Sequence, residues 1–123
     1  MIIGIGTDLA EVTRISKSIE KKGFKEKVFS KLEINYCEKK ANSAESFAAR
    51  FAAKEAFFKA LGTGLRGGMA FNEVEVVNDE KGKPSIHILG TTAETIKKRG
   101  IKTIHVSLSH TKETAIATVV LEG

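Results

Sequence analysis

The stretch that decides the fold covers residues 47–64 and reads FAARFAAKEAFFKALGTG. Its large apolar residues recur at helical spacing, so the pattern predicts one long helix whose buried stripe contains Phe47, Phe51, Phe58 and Leu61. Lys54 lies inside that stripe, where a further apolar residue is expected, and Glu55 lies at its edge. Because an unpaired buried charge costs several kcal/mol, this helix is expected to build a site as well as a core.

The flanking residues predict an α+β fold, with an antiparallel sheet packed on one long helix and several shorter helices. Strands are predicted over residues 2–12, 73–78, 85–89, 103–110 and 114–121, and the last two form a hairpin. Helices are predicted over residues 14–22, from residue 31 to about residue 40, and over 91–99. Ser30 and Glu33 match a capping box, and Asn42-Ser43 is suited to begin the long helix. Gly4 and Gly6 allow close backbone packing against the first strand.

Length and composition restrict the class of protein. A chain of 123 residues is expected to form one domain, spanning residues 1–123, with a core that needs no covalent staples. The single cysteine, Cys37, excludes an internal disulfide and a cysteine-rich metal site, and we assign it no role. The apolar start is short and is interrupted by Asp8, so we expect a cytoplasmic protein without a signal peptide or membrane segment.

Basic residues are concentrated in the first third of the chain. Residues 13–40 contain nine basic and four acidic side chains, and this difference of five equals the whole formal net charge of +5. Such a surface predicts an acidic partner, which could be nucleic acid, anionic lipid or an acidic protein, whereas the alternative is an ordinary solvated helix face. The basic residues are Arg14, Lys17, Lys21, Lys22, Lys25, Lys27, Lys31, Lys39 and Lys40.

Two carboxylates are candidates for a metal site. Asp8 interrupts an apolar strand, so it must be hydrogen-bonded, paired or bound to a metal, with a structural cap as the alternative. Glu55 is the natural second ligand if the strand packs beside the long helix, and two carboxylates with room for water suit Mg²⁺. Lys59 follows Glu55 by one helical turn, so it is either a surface ion-pair partner or a phosphate-binding cation.

Further candidates lie at the end of the helix and of a strand. The turn Gly62-Thr63-Gly64 permits close approach of a ligand to the backbone. Ser109, His110 and Thr111 place hydroxyls and an imidazole at a strand end, although a lone histidine there is more often structural, as we expect for His87 and His105. The sequence contains no phosphate-binding P-loop, no dinucleotide fingerprint and no serine nucleophile elbow.

Three segments together resemble the signature blocks of the 4'-phosphopantetheinyl transferases. They are GIGTDLAEVTRI at residues 4–15, RFAAKEAFFKALGTGLRGG at residues 50–68 and VSLSHTKETAIA at residues 106–117. The chain is most similar to the small bacterial type of the family. The likeness covers nearly the whole chain in the family's usual order, without a departure at a motif position.

The resemblance implies the 4'-phosphopantetheinyl transferase fold and a Mg²⁺-dependent reaction that supports fatty acid biosynthesis. In it, the phosphopantetheine arm of coenzyme A moves to a serine of apo acyl carrier protein, releasing adenosine 3',5'-bisphosphate. It also implies a homotrimer with active sites at the subunit interfaces, in which Ser109, His110 and Thr111 reach the ligand from the neighbouring subunit. Asp8 and Glu55 would bind Mg²⁺. The candidate coenzyme A contacts are Arg50, Lys54, Lys59, Gly62, Thr63, Gly64, Ser109, His110 and Thr111, and the residues expected to dock the carrier protein are Arg14, Lys17, Lys21, Lys22 and Lys25.

The identity of the general base stays open at this level. Glu55, Lys59 and His110 are the catalytic candidates. The base is either His110 or a water that is bound to the metal or held by a carboxylate, with Glu55 or Glu33 nearby. A nucleic-acid-binding module would explain the charge but not Asp8 or the Lys54-Glu55 pair, and the chain has no Trp and one Tyr for base stacking. Two further interpretations are transfer to the carrier domain of a peptide or polyketide synthase and a homologue without catalytic activity.

Overall fold

The computed structural model describes residues 1–65 and 67–123. Within them, five strands and five helices follow one another, with a 3-10 turn (Phe71–Glu73) before the second strand. The strands are β1 (Ile2–Glu11), β2 (Val74–Asn78), β3 (Pro84–Ile88), β4 (Thr103–His110) and β5 (Thr114–Glu122). The helices are α1 (Val12–Ser18), α2 (Phe24–Val28), α3 (Lys31–Glu38), α4 (Ser43–Leu61) and α5 (Gly90–Lys98).

The strands form two antiparallel sheets. The larger sheet has the order β1-β5-β4, and β2 pairs with β3 in the smaller one. In the larger sheet Asp8 lies opposite Ala117, which in turn lies opposite Leu108. The β4–β5 hairpin and the α+β class with antiparallel sheets are therefore confirmed.

Helix α4 lies against β1 and β5 and forms the centre of the core. Phe47 and Phe58 of the predicted stripe are buried, and so is Phe57. Small residues allow neighbouring elements to approach the helix from other directions, because Ala48, Ala52, Ala53 and Ala56 are fully buried. No helix in the described part of the chain is both long and apolar enough to cross a bilayer.

The first third of the chain differs from the prediction. Helix α1 ends at Ser18, and a short unpredicted helix, α2, follows. Gly23, interpreted from sequence as the stop of α1, instead precedes α2 with a φ of 84°. A glycine with positive φ serves either role, so the residue type does not distinguish them. The capping box at Ser30 and Glu33 is present as predicted.

Candidate functional site

Two glycines bring α4 into direct contact with the backbone of β1. A Cβ atom on Gly6 would lie 2.1 Å from the carbonyl oxygen of Ala56, and one on Gly4 would lie 2.1 Å from that of Ala60. No other residue type fits at this distance. The contact therefore places the next inward-facing residue of β1, which is Asp8, beside the solvent-side edge of α4.

Asp8 and Lys59 form an ion pair across this contact. Lys59 Nζ donates to Asp8 Oδ1 over 2.8 Å, and it also lies 3.2 Å from the carbonyl oxygen of Thr7. The hydrogen bond to Asp8 raises the pKa of the Lys59 ammonium, which stays charged at neutral pH. Since the Lys59 side chain is 55% exposed, its charge remains accessible to an anionic ligand.

Glu55 completes a cluster of two carboxylates and one ammonium. Burial raises the pKa of Glu55, and the negative charge of Asp8 raises it further, while Lys59 opposes the shift. Two carboxylates that repel one another form a donor set for a hard divalent cation such as Mg²⁺, which retains several waters. The described residues contain no cluster of three or more metal-ligating side chains, so most of the coordination shell would come from water and substrate.

A shallow cavity opens beside these charges. Its volume is about 460 Å³, and it lies where α4 ends at Gly62, which has a φ of 81°. Gly64 also has a positive φ, of 67°, while Thr63 is exposed between them. The cavity combines charged and apolar walls and is lined by Glu55, Phe58, Lys59, Gly62, Gly64, Leu65 and Phe71.

Lys54 does not face this cavity, although it is next to Glu55 in sequence. Its side chain is fully buried, and Nζ donates to Glu33 Oε1 over 2.6 Å and to the carbonyl oxygens of Phe71 and Val74 over 3.0 Å and 2.5 Å. Burial lowers the pKa of Lys54, and the attraction of Glu33 opposes that shift. With all three of its donors satisfied inside the protein, Lys54 has a structural role, and the predicted contact with coenzyme A is not supported by this geometry.

Glu33 cannot hold the water that was considered as a base, because it is buried together with Lys54. Its carboxylate is fully buried and also accepts from the backbone N–H groups of Ser30 and Val76, over 3.0 Å and 2.9 Å. A buried carboxylate that is paired and hydrogen-bonded in this way cannot reach a substrate. It anchors α3 to α4 and β2.

A second cavity, on the other side of α4, is basic. It has a volume of about 450 Å³, and Lys40, Arg50 and His110 contribute to its lining together with one acidic residue, Glu45. Arg50 is buried and donates to Asn78 Oδ1 and to Ser46 Oγ, while its Nε has no hydrogen-bond partner among the described residues. Arg50 and Lys40 bring positive charge to the cavity wall, and such charge attracts an anion.

The comparisons with known proteins show the family of the chain. A family model of the 4'-phosphopantetheinyl transferase superfamily matches residues 4–119. Holo-[acyl-carrier-protein] synthase of Syntrophus aciditrophicus is 47% identical over 125 residues, covering 100% of this chain and 98% of the relative. The chain belongs to the holo-[acyl-carrier-protein] synthases of this superfamily.

Solved structures of the same family share the fold. The crystal structure of holo-[acyl-carrier-protein] synthase from Neisseria meningitidis matches with a TM-score of 0.91 at 34% identity and covers 100% of both chains. The synthase from Bacillus anthracis, in complex with CoA (3',5'-ADP), matches with a TM-score of 0.81 at 40% identity over 98% of this chain and 96% of that one.

In this synthase the two cavities lie on opposite faces of α4. Arg50 and Lys59 are nine residues apart, which is about two and a half turns of a helix and about 13 Å along its axis. No described residue lines both cavities. The predicted coenzyme A contacts are thus divided, with Lys59, Gly62 and Gly64 at one cavity and Arg50 and His110 at the other.

Ser109 and Thr111 flank His110 in sequence but make different contacts. Ser109 is on the opposite, exposed face of β4, next to Ile116 of β5. The Thr111 hydroxyl accepts from the backbone N–H groups of Glu113 and Thr114, both over 3.2 Å, and so shapes the β4–β5 turn. His110 itself faces Glu45, with Nδ1 lying 3.2 Å from Oε1.

Four of the five residues predicted to dock the carrier protein are exposed. Arg14, Lys17, Lys21 and Lys22 are exposed, whereas Lys25 is paired with Glu38 over 2.7 Å. The charge of Arg14 lowers the pKa of Glu55, so α1 lies within electrostatic reach of the carboxylates. Sequence reasoning did not place Lys40 in the site, and only the strand order reveals that it shares a cavity with His110.

Proposed function

We propose that the whole chain acts as one transferase domain that moves the 4'-phosphopantetheine arm of coenzyme A to a serine of apo acyl carrier protein. Adenosine 3',5'-bisphosphate is the second product, and the reaction supports fatty acid biosynthesis in the cytoplasm. The observation that carries the proposal is the cluster of Asp8, Glu55 and Lys59 beside a cavity that ends in a glycine turn. Transfer from a diphosphate requires carboxylates that hold a metal and a cation that faces the phosphates.

Asp8 and Glu55 are the proposed ligands of Mg²⁺. Burial and the negative charge of Asp8 both raise the pKa of Glu55, so a cation between the two carboxylates would be favoured. Two carboxylates also leave room for phosphate oxygens around a Mg²⁺ ion. When bound there, Mg²⁺ supplies charge neutralisation on the diphosphate oxygens of coenzyme A. Lys59 then faces the same phosphates with a charge that its exposed side chain can bring to them.

The reaction breaks one phosphorus–oxygen bond of the coenzyme A diphosphate and forms one to the serine oxygen. The serine proton passes to a base, and the leaving adenosine 3',5'-bisphosphate carries away the bridging oxygen. Lys59 stabilises the negative charge that develops on that group. With Glu33 excluded, the proposed base is either a water held by Glu55 or His110 from a neighbouring copy.

The basic cavity is proposed to bind the nucleotide of a coenzyme A molecule held by the neighbouring copy. Lys40 and Arg50 bring positive charge to this cavity, and His110 adds an imidazole. The ring centroid of Tyr36 lies 4.7 Å from Lys40 Nζ and 4.3 Å from the Arg50 guanidinium carbon. Because this cavity and the carboxylate cluster lie on opposite faces of α4, one ligand molecule reaches both only when two copies meet.

The outer face of the larger sheet supports assembly into a trimer. Ile5 and Leu9 of β1 are 68% and 67% exposed, and Ile116 of β5, which pairs with Leu9, is 41% exposed. An apolar patch of this kind on a sheet face marks a protein interface. We propose that three copies bury it and thereby form three shared active sites.

The exposed basic residues of α1 and of the turn after it are proposed to dock the acidic carrier protein. Their position beside Glu55 would direct the carrier serine toward the carboxylate cluster. Charge complementarity of this kind chiefly raises the rate of encounter and weakens with added salt.

The first test measures the intact mass of apo acyl carrier protein after incubation with this protein, coenzyme A and Mg²⁺. The expected result is a gain equal to the mass of the phosphopantetheine arm, which EDTA abolishes and added Mg²⁺ restores. A carrier protein with alanine in place of the acceptor serine is the control. Failure to modify any of several carrier proteins would refute the transfer reaction, and a gain that persists in EDTA would refute the metal requirement.

A further inference from the structure

We infer that Glu73 and Thr92 are positioning residues for coenzyme A binding. They hold the segment 68–73, which supplies the Phe71 wall of the cavity beside Glu55 and Lys59. The inference rests on the proposed function, and it adds a role for α5, which none of the signature segments includes.

Thr92 connects the start of α5 to this segment. It is fully buried, and its hydroxyl donates to Glu73 Oε1 over 2.6 Å while accepting from the backbone N–H of Ala70 over 3.0 Å. The neighbouring Thr91 hydroxyl lies 2.9 Å from the carbonyl oxygen of Gly68. The two threonines thus hold the segment at two successive points of its backbone.

The carboxylate of Glu73 accepts hydrogen bonds from residues at the start of α5. Its Oε1 also accepts from the backbone N–H of Thr92 over 3.1 Å, and the Thr91 hydroxyl lies 3.3 Å away. A Cβ atom on Gly90 would lie 1.8 Å from Glu73 Oε2, so the carboxylate occupies space that only glycine leaves free. These hydrogen bonds lower the pKa of Glu73 and keep it ionised at neutral pH.

Phe71 is fixed from both sides as a result. The preceding N–H, on Ala70, is bound by Thr92, and the carbonyl of Phe71 accepts from Lys54 Nζ. The ring of Phe71 packs edge-on against Phe58, with centroids 5.2 Å apart, and both rings line the cavity. The Phe71 wall of the cavity therefore depends on hydrogen bonds to α5 and to the buried Lys54.

The chemistry of the segment explains why such anchoring matters for binding. Gly67 and Gly68 both have positive φ, and glycine has more backbone freedom than any other residue. Without the hydrogen bond to Thr92, this segment would become ordered only when coenzyme A binds. The entropic cost of ordering it would then weaken the binding of coenzyme A. Once coenzyme A is bound, the wall is in place and the chemical step is unaffected, so KM rises while kcat does not.

The test compares Thr92→Val, which keeps the shape of the side chain, with Thr92→Ser, which keeps the hydroxyl. For Thr92→Val we expect the KM for coenzyme A to rise about tenfold, with kcat and the KM for carrier protein within about twofold of wild type. Thr92→Ser should restore the wild-type KM. Thr95→Val is the matched control, because the Thr95 hydroxyl donates within α5, to the carbonyl oxygen of Thr91.

A Thr92→Val variant with a lower Tm and an unchanged KM for coenzyme A would overturn the inference, because the network would then serve stability alone. If Thr92→Val does not fold, Glu73→Gln tests the same bonds, and an unchanged KM in that variant overturns the inference equally. Wild-type protein is assayed in parallel. Absence of transfer by the wild type would contradict the proposed function, whereas an active wild type with a normal variant contradicts only the positioning role.

Discussion

The ammonium of Lys59 lies 2.8 Å from the carboxylate of Asp8, although 51 positions separate the two residues in the chain. The contact exists because Gly4 and Gly6 let the backbone of β1 touch α4. A larger residue at either position would move the helix outward and separate the two charges. The site therefore depends on glycine at positions 4 and 6 as much as on the charged side chains.

Removal of either proposed metal ligand should abolish most of the activity. We expect Asp8→Asn and Glu55→Gln each to lower the transfer rate at least about a hundredfold at saturating substrates, because one of two carboxylate ligands is lost. The rate is followed by the mass of the carrier protein, and the Tm shows that each variant is folded. Glu80→Gln, in the exposed β2–β3 turn, is the control, and near-normal turnover in either variant would refute the metal assignment.

Mixing two inactive variants should restore activity if the active site is shared between copies. In a head-to-tail ring of three, every mixed trimer of Glu55→Gln and Arg50→Gln chains contains one site with both wild-type residues. Random mixing in equal amounts should thus recover about a quarter of the wild-type rate, since about three quarters of the rings are mixed and each has one intact site in three. Rates are compared after co-refolding and after simple mixing of preformed assemblies. No recovery after co-refolding would show that each site lies within one chain.

Charge reversal on the docking surface should act on the carrier protein alone. For Lys17→Glu combined with Lys21→Glu we expect a rise of about tenfold in the KM for carrier protein at low salt, shrinking as salt screens the charges. The KM for coenzyme A should not change. Arg14 is left intact because its charge also acts on Glu55. Lys97→Glu with Lys98→Glu, at the end of α5, is the matched control, and an equal effect of both double variants would contradict specific docking.

The buried pair of Lys54 and Glu33 should couple strongly in stability. Lys54→Met leaves the Glu33 carboxylate buried without its partner, so we expect a loss of about 3–5 kcal/mol in the free energy of unfolding by urea. Adding Glu33→Gln to Lys54→Met should recover part of that loss. Lys25→Met removes only the exposed pair with Glu38 and should cost less than about 1 kcal/mol. Additive losses from the two buried substitutions would mean that the ion pair contributes no coupling.

Acid should remove the contribution of Glu73 to stability. Its folded-state pKa lies below the unfolded value, so its contribution is present above the unfolded pKa and is lost as the pH falls through the folded pKa. We expect the Tm of the wild type to fall more steeply than that of Glu73→Gln between about pH 5 and pH 3. Parallel Tm curves for the two proteins would contradict the hydrogen-bonded state of this carboxylate. Glu94→Gln, on α5, serves as the control.

The parts of the fold that depend on local periodicity could be predicted from the sequence. The 3.6-residue repeat of phenylalanines predicts α4, and alternation predicts the β4–β5 hairpin, because both patterns record which face is buried. The predicted end of the first helix at residue 22 was wrong, because α1 ends at Ser18 and Gly23 precedes the separate helix α2. The five residues of α2 are too few for a periodic signal.

The position of a site residue could be predicted from the sequence only where a single contact between two elements determines it. Gly4 and Gly6 indicate close packing of the strand, and with it the proximity of Asp8 to α4. The sequence shows that Lys54 lies within an apolar stripe, but its partner Glu33 lies 21 positions away on α3. No local sequence pattern shows which element covers that face of α4. The basic cavity likewise depends on strand order, which brings His110 of β4 near the first turn of α4.

The placement of two half-sites on opposite faces of α4 has a thermodynamic consequence. Under the proposed assembly, coenzyme A binds the trimer and not the separated chains, so ligand binding and association are linked by mass action. Each molecule of coenzyme A then holds two chains together, and dilution of the protein weakens its apparent affinity. Under that assembly, a higher concentration of coenzyme A would raise the fraction of chains that are assembled and active.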